Sequence, residues 1–197
     1  MPPSAHLGPR IILRETEPEL RLGSFAAAFG WDKTVHPEDP QAGTLREVVW
    51  EGYDTGLHFI VDDATGCPYL YFSTGTANDA RVLTRMAAEQ LEVYSREELL
   101  ASFDAAHDAA DRRRALLMAA LGSSHTFDQD LHQRISDAAR APEADLRSAA
   151  IYAMSYSPSV RFKPLLGRLS ADDPNPGIRQ DAGLMLEVFG EVGTGGG

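Results

Sequence analysis

The stretch PEADLRSAAIYAM, residues 142–154, is followed at an offset of 32 residues by PNPGIRQDAGLML, residues 174–186. The offset lays Pro142 on Pro174, Leu146 on Ile178, Arg147 on Arg179, Ala150 on Ala182 and Met154 on Leu186. A weaker copy, DRRRALLMAAL, puts Arg112 and Ala115 35 residues before Arg147 and Ala150. A fixed period in this range means stacked units, each two helices joined by a short turn. The expected helices are 108–121, 128–140, 143–155, 159–170 and 177–189. The proline is placed just before the first helix of each unit, where its missing N–H costs least. The alanine lets neighbouring helices approach, and the other apolar residues fill the seam.

At Leu146-Arg147 with Ala150, and Ile178-Arg179 with Ala182, the chain resembles the HEAT-like repeat family. The resemblance covers about residues 108–190, read as two and a half units. It implies an α-helical scaffold whose curved surface binds other proteins. In that pattern Arg147 and Arg179 bridge adjacent units through acidic or carbonyl partners. Some members act in chromophore attachment; this half has no cysteine, so nothing is carried over from them.

Upstream the punctuation changes. Three runs rich in aromatic and β-branched residues, 45–53, 57–62 and 69–73, are separated by Asp54-Thr55-Gly56 and Asp63-Ala64-Thr65-Gly66. Short Gly-bearing loops between such runs predict an antiparallel three-stranded meander. A further strand is expected at 10–14, a helical turn or two at 24–29, a loop at 33–43 and a short strand at 91–94. Asn78 is the expected cap of a helix through Leu91 whose apolar positions recur at helical spacing. Ser95 and Glu98 form a capping box for the helix that marks the seam. The fold class is therefore α+β: a small antiparallel-sheet domain over 1–94, then a HEAT-like stack over 95–190, then a disordered Gly-rich tail over 191–197. A stack this short is expected to need the first domain as its cap, the two making one rigid body.

The 197 residues carry 18 Lys plus Arg against 29 Asp plus Glu, a net charge of −11. Such a balance argues against nucleic-acid binding, which needs a basic surface. Residues 1–100 hold 8 basic and 16 acidic side chains, so the acidity belongs mainly to the first half. No apolar run approaches the roughly 20 residues that span a bilayer, and the start has no signal-peptide core. The single cysteine, Cys67, excludes an internal disulfide, and the cytoplasm is the expected compartment. Arginine and alanine usage, with lysine only at 33 and 163, suggests a GC-rich bacterial genome.

Catalytic motifs are sparse, and no cofactor is expected. His125, Asp128 and His132 are the nearest approach to a metal cluster, with Asp128 and His132 one helical turn apart. Acidic residues also suit a helix N-terminus for dipole reasons alone, which is the stronger reading. Cys67 and Ser73-Thr74-Gly75-Thr76 lie in loop-like contexts without a neighbouring base or a phosphate-binding lysine. The expected function is a non-enzymatic protein-binding module. One form is an immunity-type protein that neutralises a basic toxin domain, its acidity steering the toxin and occupying its phosphate site. The alternatives are a scaffold or adaptor gripping another cytoplasmic protein, and a metal-dependent enzyme using His125, Asp128 and His132. Candidate partner contacts are Asp62, Asp63, Asp128 and Asp130, as clustered charges, with Tyr152 and Tyr156 one turn apart on a repeat helix. Arg147, Arg179, Ala150 and Ala182 are assigned to the repeat itself.

Overall fold

The computed structural model describes residues 5–14, 17–35, 47–123 and 126–192. The chain divides into two compact units, Met1–Ser95 and Arg96–Gly197.

The first unit is built on an antiparallel sheet. Its strands are β1 (His6–Leu7), β2 (Ile11–Ile12), β3 (Asp32–Val35), β4 (Glu47–Gly52), β5 (Thr55–Val61) and β6 (Pro68–Thr74), in the order β1-β6-β5-β4-β3 with β2 also on β6. The meander is β4-β5-β6. Its first connection is tighter than expected: Gly52 pairs with Thr55, so Tyr53 and Asp54 alone make the turn, and Asp54 adopts a φ of 53°. Gly66 closes the second turn at φ 67°. Positive φ is tolerated by Asp and natural for Gly, which is why these residue types stand there.

Alternation along the strands sends Val48, Trp50, Leu57, Phe59, Leu70 and Phe72 to one face. Against it pack α1 (Pro18–Ala28), through Leu22 and Phe25, and α2 (Ala77–Gln90), through Leu83, Met86 and Ala87. Four local expectations change. Helix α1 begins earlier than residue 24, with Pro18 in its first turn. The cap of α2 is Thr76, whose hydroxyl accepts from the Asp79 N–H at 3.2 Å, rather than Asn78. The expected loop from Lys33 opens instead with β3, while its residues 36–43 lie outside the described residues. The strand at 91–94 reduces to one bridge, Val93 to Leu13.

The second unit is helical: α3 (Arg96–Ala105), α4 (Ala109–Leu121), α5 (Gln129–Ala138), α6 (Ala144–Tyr156), a 3-10 turn (Val160–Phe162), α7 (Lys163–Asp172) and α8 (Pro176–Val192). Asp108 and Asp128 cap α4 and α5, each accepting backbone N–H bonds from the first turn. Helix α3 packs on α4, α5 on α6, and α7 on α8; the second members also contact one another, α4 with α6 and α6 with α8. The described helices therefore form three hairpins rather than two and a half units, with α3 the opening helix of the first. Pro142 and Pro174 stand in the turns before the second helix of their hairpins, not before the first. Burial is most complete at the C-terminal half of α4, whereas its first half, with Asp111, Arg113 and Arg114, is exposed. Ala115 to Leu121 are all buried, so this half of α4 is covered on every face. Ala150 and Ala182 are fully buried at the helix contacts. The expected tail at 191–197 begins inside α8, which runs to Val192, and residues 193–197 lie outside the described residues.

Candidate functional site

The last two hairpins carry a set of outward apolar and aromatic side chains. Tyr152 and Leu184 are equivalent in the 32-residue repeat, as are Tyr156 and Val188, so the repeat sets them in register on α6 and α8. Tyr152 is 47% exposed, Leu184 53%, Val188 52% and Val160 64%. Tyr152 meets Tyr156 edge-to-face with ring centroids 5.2 Å apart, the favourable geometry for two quadrupoles. Beside them an apolar groove of about 490 Å³ runs between Pro158, Val160, Met185, Val188 and Phe189.

A smaller cavity of about 200 Å³ continues from Tyr156 to His132, Phe127 and Phe162. His132 stacks on Phe162 at 4.5 Å, and Arg161 lies 4.1 Å over the Phe127 ring. Burial first, then the Arg161 and Arg140 charges, push His132 below its ordinary 6.5, so the imidazole is neutral at pH 7. Its Nε2 is buried without a hydrogen-bond partner. Exposed apolar side chains gathered on one patch mark interaction surfaces, and tyrosine and arginine are among the residue types enriched at binding hot spots.

The acidic candidates are arranged differently. Asp62 is buried: its carboxylate accepts from the Thr65 N–H at 2.8 Å and the Thr65 hydroxyl at 2.7 Å, shaping the β5–β6 turn rather than facing a partner. Asp63 is exposed. Asp128 and Asp130 are engaged by Arg96, whose Nε and NH2 reach Asp128 at 2.6 Å each and whose NH2 reaches Asp130 at 2.8 Å. The Arg96 bonds hold the Asp128 carboxyl below its ordinary range, against the opposing effect of burial. With Asp128 so engaged, the trio His125, Asp128 and His132 loses its carboxylate, and His125 lies outside the described residues. Among the described residues no three His, Cys, Asp or Glu side chains are gathered to hold a metal. Cys67 is buried and donates toward the Thr65 carbonyl.

The repeat pattern predicts that Arg147 and Arg179 both bridge adjacent units; both bond to the turn before their own helix, and of the two Arg147 alone is seen to reach another hairpin among the described residues. NH1 of Arg147 donates to the carbonyls of Ala141 and Pro142 at 3.0 and 2.7 Å, and NH1 of Arg179 to those of Asp173 and Pro174 at 2.7 and 3.3 Å. Each arginine thus ties down the two carbonyls just before its own helix. Arg147 also crosses to the next hairpin, where it meets the Asp173 carboxylate.

One constellation went unread in the sequence. On the sheet face opposite the core, His58 Nδ1 lies 2.7 Å from Glu47 Oε1, and its Nε2 lies 2.8 Å from Ser73 Oγ. Tyr71 stacks on the imidazole at 4.5 Å and donates to Glu47 at 3.3 Å. Burial, then the Glu47 charge, raise the Tyr71 phenol, so it stays a donor. Carboxylate, imidazole and hydroxyl stand in the order of a nucleophilic relay. Acyl transfer also needs N–H donors aimed at a developing oxyanion. Ser73 sits inside the sheet, between Gly56 and Leu7, so its own N–H is taken by strand pairing. Glu51 and Asp54 line the adjoining cleft, a setting that disfavours negative charge. The hydrogen bonds of the cluster clamp three strands together, β4, β5 and β6. Spacings of 11 and 15 residues carry no sequence signal; only the strand register brings these side chains together.

Comparison with family models, with curated proteins and with solved structures finds no match to this chain.

Proposed function

We propose that this chain is a cytoplasmic protein-binding module whose helical unit, a HEAT-like stack, grips a partner protein along α6 and α8. The observation that carries the reading is the in-register pairing of exposed Tyr152 and Leu184, with Tyr156 and Val188, beside the 490 Å³ apolar groove. The net charge of −11 supports a basic partner attracted over distance, as for an immunity-type protein facing a toxin domain. A second reading, a scaffold or adaptor, draws support from Asp62, Asp128 and Asp130. Their carboxylates serve internal bonds, which shifts direct contact toward the apolar surface. No described helix is long and apolar enough to cross a membrane.

The test is affinity purification from the native cell with mass spectrometry, run in parallel on the triple variant Tyr152→Ser, Leu184→Ser, Val188→Ser. A stoichiometric partner lost with the triple variant supports the reading, and its identity chooses between toxin and adapted protein. A partner retained in full by the triple variant removes this surface from the account.

A further inference from the structure

Arg147 and Arg179 make the same two carbonyl bonds through NH1, so both guanidinium planes are set the same way against their turns. Their other edges differ. Nε and NH2 of Arg147 fork onto Asp173 at 2.7 and 3.0 Å, and both residues are buried. Nε and NH2 of Arg179 have no partner among the described residues, and Arg179 is only half-buried. The flanking positions show the same asymmetry. Ala149, Ile151, Ala153 and Met154 of α6 are buried, whereas their equivalents Asp181, Gly183, Met185 and Leu186 of α8 are exposed or half-exposed. Helix α6 has a neighbour from the hairpin on either side, α4 and α8, and α8 has one from α6 alone among the described helices.

We propose that this open side of α8 receives a helical hairpin of a partner protein, seated as α7–α8 sits on α6, with an acidic residue in its turn accepting from Arg179 Nε and NH2. The inference rests on the protein-binding reading and names the chemistry of its partner. A carboxylate is the occupant because the outer edge of a fixed guanidinium presents two parallel donors, which a carboxylate matches with two bonds. The NH1 bonds hold that edge in place before any partner arrives, which lowers the ordering cost of binding. A second copy of this chain fits less well. Its Asp173 is engaged by Arg147, and the matching residues of the earlier turns are Ala141 and Ala106.

The probe is a fluorescein-labelled peptide of residues 159–192, the chain's own hairpin with Asp173 in its turn, titrated by anisotropy against the full-length protein. Saturable binding is expected. Arg179→Gln in the protein, or Asp173→Asn in the peptide, should each weaken it about thirtyfold, the loss typical when one partner of a desolvated charge pair goes. Arg179→Lys keeps the charge without the fork and should also bind weakly, while Arg179→Glu should be rescued by an Asp173→Arg peptide. Circular dichroism of each protein variant checks that the stack still folds. Absence of binding, or binding indifferent to Arg179, overturns the proposal. The second result would mean that the peptide displaces the chain's own hairpin from Arg147. Neither outcome touches the Tyr152, Leu184 and Val188 test, so the two readings fail separately.

Discussion

The guanidinium of Arg147 and the carboxylate of Asp173 meet in a buried two-bond fork, at 2.7 and 3.0 Å, and the pair joins the second hairpin to the third. Removing one member leaves the other charged, buried and unpaired, which costs about 3–5 kcal/mol. Asp173→Asn keeps the acceptor for the Asn175 N–H but loses the charge, and is expected to lower stability by about that amount. Replacing both with apolar residues, Arg147→Met with Asp173→Leu, should cost less than either single change, because no lone charge remains. Urea denaturation of the wild type, the single variants Arg147→Met and Asp173→Leu, and the double variant measures the coupling.

Acid should loosen the same joint. The bonds from Arg147 hold the Asp173 carboxyl below its ordinary 3.8, outweighing burial, which pulls the other way. A carboxyl lowered by folding stabilises the native state in full above its unfolded value and loses that contribution as pH falls through the folded one. Stability is therefore expected to drop below about pH 4, and the drop should be shallower in Asp173→Asn. Asp128 is also lowered, by Arg96, but Arg96 is about half exposed, so Asp128→Asn should flatten the acid limb less. Thermal melts between pH 2 and pH 7 check the order.

Gly56 is required where His58 meets Ser73. A Cβ there would lie 2.7 Å from Ser73 Oγ and 2.8 Å from His58 Nε2. Both atoms are held by the clamp, so Gly56→Ala should destabilise the first unit by about 1–3 kcal/mol. Adding Ser73→Ala removes one of the two clashes and should recover part of the loss, as read by denaturant midpoint.

Gly52 makes a similar close approach. A Cβ at this position would fall on the indole ring of Trp31, which stacks on Phe29 at 4.8 Å. Gly52→Ala is expected to push the indole off Phe29 and change the tryptophan emission before any global unfolding. Unchanged emission together with an unchanged melt would contradict this packing.

Much of this architecture was legible because backbone needs fix particular residues. Pro142 and Pro174, Arg147 and Arg179, and Ala150 and Ala182 recur because each turn needs a stop, a carbonyl clasp and a close helix contact. The same local rules are silent on which helix of a pair follows the proline, since a first helical turn looks alike in either. That is why the hairpins came out displaced by one helix. Strand β3, DKTV, escaped notice because it is a charged edge strand, and edges are protected by the polar residues that also mark loops. Asp62 reads as a surface charge until the turn folds its carboxylate onto Thr65. For Asp128 and Asp130 the deciding residue, Arg96, is about a full repeat away. The Glu47, His58 and Ser73 cluster depends wholly on register, which no periodicity encodes.

Ala141, standing where the next repeat has Asp173, makes the two joints of the stack electrostatically unequal. The second joint is pinned by a buried pair that dissolved ions barely reach. The first is bridged between α3 and α5 by Arg96 with Asp128 and Asp130, and by Arg134 with Asp104, mostly at the surface. Salt at molar strength screens such pairs within about 3 Å. Added salt should therefore loosen the ionic bridging of the first joint while leaving the Arg147–Asp173 pair of the second in place.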